Sequence, residues 1–542
     1  MLRKISLSLS ALLVLSGAQA QTWQDTLARI ESAFERFKPD GPGAQMAISR
    51  NGKVIFSKSW GMADLERNVP MATTSLIEAG SVSKQFTAAS ILILEQQGKL
   101  SVADEVRKYV PELPEYGHPV RVSHLLHHSS GLKDWGSVAE LTGWPRGERN
   151  YTNDDALRII CRQKSLNNPP GYEYIYSNTN YTLMTIIVER VSGKTLEEFT
   201  DEHIFTPAGM NASHWRQDHR QLVPHRAIAY GKDDRYGYHI NMPNESVYGH
   251  AALLTTAEEL LKWNDLYTSG RYGSPSLYPK QTETVPLTCG HPAMYAAGLM
   301  TAPINGRKAV THSGATAGYR ANLEYFPELG MSFAYLCNTS QFDRAATNAA
   351  AVVRNIFIPE PPKTPAPQTA VPAIAVPPEA LRAFTGWYRN VRSDDGIKIT
   401  ESNGNLYEGT KKLHPAGGAT FRNEGGMRYA FSKTDLFLIT PQQDTFAFKP
   451  ENYPDTAASN AEYAGEYVSS DAEARWKVTL DGKNLVVNID RPGFKSPLQP
   501  LYKDAFQSYF GLVRFRRDAQ NRVTGLEITS GRARRVPFTR AN

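Results

Sequence analysis

Two short apolar stretches, Met46 to Ile48 and Val54 to Phe56, flank the polar quartet Arg50-Asn51-Gly52-Lys53. That pattern predicts a β-hairpin, because Asn-Gly accepts the positive φ of a tight turn. Val82, Phe86, Ala89 and Ile93 then recur at helical spacing and end at Gly98, which predicts a helix with an apolar face. Thr256-Ala257-Glu258-Glu259 reads as a capping box that opens another helix. Near the end of this mixed region, Leu323 to Phe326 and Met331 to Leu336 read as paired strands joined by a turn containing Gly330.

The pattern breaks at Pro359 to Pro378, PEPPKTPAPQTAVPAIAVPP, whose prolines cannot supply helix or ladder hydrogen bonds. A semi-rigid extended linker is expected there. Beyond it the chain reads as short strands and turns with an internal echo. Phe384-Thr385-Gly386-Trp387-Tyr388 returns as Tyr463-Ala464-Gly465-Glu466-Tyr467, and the turn Asn403-Gly404-Asn405-Leu406 returns as Asp481-Gly482-Lys483-Asn484-Leu485. Two closed barrels of similar plan would bury both sets of strands and remove exposed edges. At the other end, Arg3 and Lys4 precede an apolar run, Ile5 to Leu15, and then Ala18-Gln19-Ala20. This is the order of a secretory signal cut after Ala20, and no second long apolar span follows. The domains expected are 1–20 signal, 21–358 catalytic, 359–378 linker, 379–455 first barrel and 456–542 second barrel.

At 542 residues, 41% hydrophobic and 21% charged, the chain can bury about three cores, and disorder is excluded. The net charge of +6 is spread along it. The one dense basic run is Gly531-Arg532-Ala533-Arg534-Arg535, too short for a nucleic-acid footprint. Cys161, Cys289 and Cys337 allow at most one disulfide, and Cys161 and Cys337 read as small buried hydrophobes.

Three elements could carry chemistry. Ser81-Val82-Ser83-Lys84 stands where the hairpin region gives way to the apolar helix, so Lys84 can place its amine beside the Ser81 hydroxyl. A helix N-terminus also supplies N–H groups suited to an oxyanion. Tyr176-Ser177-Asn178 offers a phenol that can relay a proton and a carboxamide that can hold a carbonyl. His312-Ser313-Gly314-Ala315 precedes the paired strands; Gly314 would let substrate lie against the strand edge, and the Ala315 N–H could join that of Ser81 in an oxyanion hole. Each spacing is cheap, since Ser130-Gly131-Leu132-Lys133 and Tyr151-Thr152-Asn153 repeat the first two.

Together and in order, the three elements resemble the serine β-lactamase and penicillin-recognising superfamily, peptidase family S12, especially its class C-like and D-aminopeptidase branch. The resemblance extends from about Gly43 to Phe357. It includes Ser81-Val82-Ser83-Lys84-Gln85-Phe86-Thr87, Leu125-Leu126-His127-His128-Ser129-Ser130-Gly131-Leu132 and Gly318-Tyr319-Arg320. Phe515-Arg516-Arg517-Asp518, Thr524-Gly525-Leu526 and the doubled module resemble that branch's two β-barrel domains. The implied fold is α/β and β-lactamase-like, an antiparallel sheet flanked by helices with a helical subdomain, followed by two lipocalin-like barrels.

The resemblance implies Ser81 as nucleophile of an acyl-enzyme, Lys84 and Tyr176 sharing the base work, and Asn178 with Ser313, Gly314 and Ala315 binding substrate. For either Lys84 or Tyr176 to be a base near pH 7, its pKa must fall by about 3 units, which burial beside another cation can do for Lys84 and nearby positive charge can do for Tyr176. The sequence leaves open which is the resting base. His312 stands where penicillin-recognising enzymes usually carry lysine, and a mostly neutral imidazole grips a carboxylate poorly. Short D-amino-acid amides or peptides are therefore expected as substrates, ahead of esters and then β-lactams or DD-peptides. The expectation includes no cofactor or metal, no nucleic-acid partner, and room for a homodimer. It also places the protein in the periplasm or outside the cell. By the same resemblance, the loop 490–497 could reach the active-site mouth and limit substrate size, and a solvated hairpin tip is the alternative left open for it. A zinc site at His124, His127 and His128 lacks the HExxH glutamate, and no G-x-S-x-G elbow supports an α/β-hydrolase. A non-catalytic wall-fragment sensor on the same fold is the reading from another class.

Overall fold

A computed structural model describes residues 23–269, 277–342, 348–362, 378–441, 444–453, 460–491 and 493–541. The expected signal segment and most of the proline-rich stretch lie outside these residues. Six antiparallel strands form the central sheet: β1 (Ala44–Arg50), β2 (Lys53–Trp60), β3 (Met300–Ile304), β4 (Arg307–Thr316), β5 (Tyr319–Phe326) and β6 (Met331–Cys337). Their spatial order is β3-β4-β5-β6-β1-β2. Asn51 and Gly52 take the positive φ values, 50° and 74°, that the β1–β2 turn demands.

Both faces of the sheet are covered, so β1 and β6 are buried at nearly every position. On one face Met46, Ile48 and Phe333 pack with α1 (Trp23–Phe34) and the helix Ala349–Phe357. On the other, Ala47, Ala334 and Leu336 join the main core with α2 (Lys84–Gln96), α3 (Asn178–Ser192) and α4 (Ala257–Ser269). The expected capping box at α4 forms only by half. Thr256 Oγ1 accepts from the Glu259 N–H, but the Glu259 carboxylate instead receives the Ala212 N–H and the Ser213 hydroxyl.

The C-terminal region is two closed eight-stranded antiparallel barrels, from Gly386 to Glu451 and from Gly465 to Arg540. The sequence echo has a structural meaning. Tyr388 donates its hydroxyl to the Phe384 carbonyl at 3.0 Å, and Tyr467 donates to the Tyr463 carbonyl at 2.8 Å. Each phenol ties the first strand of its barrel to the turn before it. The echoed turns hold Gly404 and Gly482 at φ of 70° and 61°.

The second barrel is fastened to the catalytic domain. Val138 and Leu141 enter its core, and Trp476 donates to the Leu141 carbonyl at 2.9 Å. Buried Glu173 of the catalytic domain takes Arg392 from the first barrel and Arg534 from the second. Asp394 of the first barrel takes Arg514 and Arg535 of the second. The basic run at 531–535 therefore belongs to this interface. Cys161, Cys289 and Cys337 are free thiols; Cys337 is buried and Cys161 half-buried. Among the described residues, no helix is long and apolar enough to cross a membrane.

Candidate active site

Ser81 sits in a single 3-10 turn, Gly80–Ser83, that feeds α2. Two glycines let strand β4 close on that turn. Gly80 has φ +52°, and a Cβ there would stand 2.7 Å from the Ala315 nitrogen. A Cβ on Gly314 would stand 3.0 Å from the Ala79 carbonyl carbon and 3.1 Å from the Ala321 Cβ, and closer still to the Ala79 oxygen. The requirement for Gly314 is thus chain against chain, not substrate against strand edge as its position suggested. β3 stops at Met300 opposite Thr311, so residues 312–316 of β4 pair only with β5.

A cleft of about 370 Å³ opens over this junction. Of the eight residues singled out in the sequence, Ser81, Tyr176, Asn178, His312, Ser313 and Ala315 line it. Lys84 lies fully buried at its floor, and Gly314 turns away toward Ala79. The copies of these motifs elsewhere are structural. Lys133 donates to the carbonyl and hydroxyl of Ser165 while Ser130 donates to Asn180, and Thr152 caps the helix Asn153–Arg162.

The Lys84 amine lies 3.0 Å from Asn178 Oδ1, 2.6 Å from the His250 carbonyl and 3.1 Å from Ser81 Oγ. Burial pushes its pKa well below the ordinary lysine value, and the positive charges of Arg146 and Arg532 push the same way. Arg146 is itself held by both Glu245 oxygens, at 2.8 and 2.6 Å. Tyr176 behaves otherwise. Its hydroxyl is buried with no hydrogen bond of good geometry, and burial raises its pKa more than Ser81 and Arg532 lower it. Of the two routes the sequence left open, nearby positive charge does not win at Tyr176.

His312 is neutral. Its Nδ1 lies 2.6 Å from the Ser313 carbonyl, which can only accept, so the ring proton sits on Nδ1. Nε2 then accepts from the Tyr295 hydroxyl at 2.9 Å. Burial is the main cause that lowers the His312 pKa to about 3, and a protonated Lys84 pushes it the same way. The candidate zinc histidines go to separate partners. His124 Nδ1 accepts from the Arg121 N–H, His127 faces the Tyr295 carbonyl, and His128 is buried against Ser177 and Asn180. Among the described residues no cluster of three or more His, Cys, Asp or Glu side chains could hold a metal.

Sequence reasoning missed four contributors to this site. Arg146, the His250 carbonyl and Tyr295 carried no recognisable spacing. Arg532 had a signal, the short basic run, but nothing tied it to the cleft. Its guanidinium carbon lies 4.6 Å over the Tyr176 ring. The described residues of the loop 490–497 lie elsewhere. Arg491 donates to the Gly143 carbonyl at 3.1 Å and pairs with Glu148, and none of the described loop residues lines the cleft.

Residues 28–356 match the Beta-lactamase family. The chain belongs to that family. As a beta-lactamase-family protein it is an enzyme, a serine hydrolase. It is 25% identical over 517 residues to a D-aminopeptidase of Cereibacter sphaeroides, covering 92% of this chain and 96% of that protein. In fold it is similar to a D-amino acid amidase of Ochrobactrum anthropi in complex with D-phenylalanine (TM-score 0.53, 19% identical, 61% of this chain and 99% of that one). A structure of SurE matches 96% of this beta-lactamase-family chain and 98% of its own, at TM-score 0.53 and 18% identity. That match extends across the barrels as well as the catalytic domain.

Proposed function

We propose that this protein is a D-aminopeptidase-like hydrolase that cleaves short D-amino-acid amides or peptides through a Ser81 acyl-enzyme. One observation carries the reading, the hydrogen-bond inventory of Lys84. Asn178 Oδ1 and the His250 carbonyl can only accept, so they take both hydrogens of a neutral amine. Its lone pair is then left for the Ser81 hydroxyl, 3.1 Å away. Lys84 is the resting base and Tyr176, kept protonated by burial, is the acid. Ser81 Oγ attacks the scissile carbonyl and gives its proton to Lys84, while the N–H groups of Ser81 and Ala315 hold the oxyanion. The departing nitrogen receives a proton through Tyr176 and leaves as the amine. Water then attacks the ester, gives a proton to the same base, and releases the acid with Ser81 restored. Asn178 spends its oxygen on Lys84, so its NH₂ is the end available to a substrate carbonyl.

The relatives named D-aminopeptidase support the D-amino-acid class. Ester hydrolysis is the second reading, favoured by a cleft whose described lining residues include no Asp or Glu to pair with a substrate ammonium. Hydrolysis of D-alanine p-nitroanilide and of its N-acetyl form, with Ser81→Ala as the blank, tests both. Cleavage abolished in Ser81→Ala, with a covalent acyl adduct on the Ser81 peptide by mass spectrometry, is the expected result. Wild-type rates in Ser81→Ala would refute the mechanism, and cleavage of p-nitrophenyl acetate alone would leave the esterase. Export is proposed on the order of residues 3–20, and the first residue of the protein recovered from cell fractions tests it.

A further inference from the structure

Among the described residues, one from the second barrel lines the cleft, and it is charged. Arg532 stands at the tip of the hairpin that precedes the last strand, Ala533–Arg540. The tip is pinned to the catalytic domain by its backbone. The Arg532 N–H donates to Ser137 Oγ at 3.2 Å, and its carbonyl accepts from the Asp134 N–H at 3.3 Å and from Asn167 Nδ2 at 2.9 Å. The two neighbouring arginines are neutralised, Arg534 by Glu173 and Arg535 by Asp394. Arg532 differs. Among the described residues no carboxylate pairs with its guanidinium, which lies exposed in the cleft over the Tyr176 ring.

The other basic groups at the site carry no free positive charge for a ligand. Arg146 is spent on Glu245, Lys84 is committed to its three partners, and His312 is a neutral acceptor for Tyr295. An unpaired guanidinium in a cleft with no acidic lining residue presents a fork that matches a carboxylate. Its position over Tyr176 fixes which end of the substrate it meets. Tyr176 is the group that hands a proton to the departing nitrogen, so a cation over its ring faces the leaving group. The α-carboxylate of a leaving amino acid is two bonds from that nitrogen.

We propose that Arg532 is a substrate-anchoring residue that pairs with a carboxylate on the leaving group, so that peptides ending in a free carboxylate are preferred to the corresponding amides. The cation absent at position 312 is supplied by the barrel. This proposal rests on Ser81 and Tyr176 acting as described above.

The test uses the full-length protein and two matched pairs of substrates. One pair is D-alanyl-D-alanine and D-alanyl-D-alaninamide; the other is 3-carboxyphenyl acetate and 3-carbamoylphenyl acetate, whose leaving groups differ only in charge. Arg532 also helps keep Lys84 deprotonated, so the readout is the carboxylate-to-amide ratio of kcat/KM within each pair. The wild type is expected to favour the carboxylate at least tenfold, mainly through KM. Arg532→Gln is expected to bring the ratio near one, and Arg532→Lys to restore most of it. A wild-type ratio near one, or equal loss on both members in Arg532→Gln, would overturn the proposal. Hydrolysis of the esters with no release of D-alanine would sink the D-peptide reading, and the ester ratio would still decide on Arg532. No turnover of any of the four would overturn both.

Discussion

Gly314→Ala isolates the fit between strand β4 and the Ser81 turn. Gly314 is not among the residues with positive φ, so alanine meets no backbone strain there and the effect is one of space alone. The new methyl would stand 3.0 Å from the Ala79 carbonyl carbon and 3.1 Å from the Ala321 Cβ. Ordinary carbon contacts need about 3.5–4.0 Å, so β4 must retreat by on the order of 1 Å. Ala79 is two residues before Ser81, and Ala315 is the next residue of β4, so the retreat pulls one proposed oxyanion donor from the other. A displacement of that size costs about 100-fold in rate, and the overpacking costs about 1–3 kcal/mol of stability. The assay is kcat/KM on p-nitrophenyl acetate together with the melting temperature. Gly306→Ala is the control: its φ is +75°, nothing lies within 4 Å of the added methyl, and it sits in the β3–β4 turn away from the cleft. It is expected to lower stability and leave kcat/KM within twofold. Wild-type kcat/KM in Gly314→Ala would refute the reasoning.

Ester hydrolysis is expected to rise with pH through the depressed Lys84 pKa and then stay flat, because Tyr176 remains protonated; an acid limb that survives in Lys84→Met would contradict Lys84 as its source. The His312 pKa falls from 6.5 to about 3, so its contribution to stability is complete above 6.5 and is lost as pH falls toward 3, at up to about 1.4 kcal/mol per pH unit. His312→Gln should therefore flatten the acid limb of a melting-temperature profile, and an unchanged slope would count against it. Glu78 and Arg216 form an ion pair with both side chains 1% exposed, two residues before Gly80. Arg216→Met leaves the Glu78 carboxylate buried and unpaired, with an expected loss of about 3–5 kcal/mol by chemical denaturation; a loss under about 1 kcal/mol would show that the site relaxes.

Local pattern predicted the elements that local physics controls. Asn51-Gly52 dictated a hairpin through φ alone, and the spacing from Val82 to Ile93 placed α2 with Ser81 at its head. The barrel echo was legible because each copy must repeat the same turn and the same phenol tie. Six of the eight candidate site residues line one cleft, and they stood out in the sequence because a nucleophile, a base and oxyanion donors are expected from short segments. What stayed hidden was set by contacts between distant segments. The role of Gly314 depends on Ala79, which no spacing connects to it. The setting of Lys84 depends on the His250 carbonyl, a group every residue possesses. The sign of the Tyr176 shift is a contest between burial and charge, and the sequence names the charges without the burial. Arg532 and Arg491 both lie between barrel strands, and only docking decides which of them meets the cleft.

The fastening of the second barrel through the 531–535 hairpin also sets an order of assembly. The proposed hydrolytic groups run from Ser81 to Ala315 and lie in one folding unit, whereas Arg532 reaches them only when another unit has closed and docked. Domains fold as units and dock afterwards. After dilution from denaturant, cleavage of an uncharged ester should therefore return first, and discrimination between charged and uncharged leaving groups should return with a separate, slower time constant.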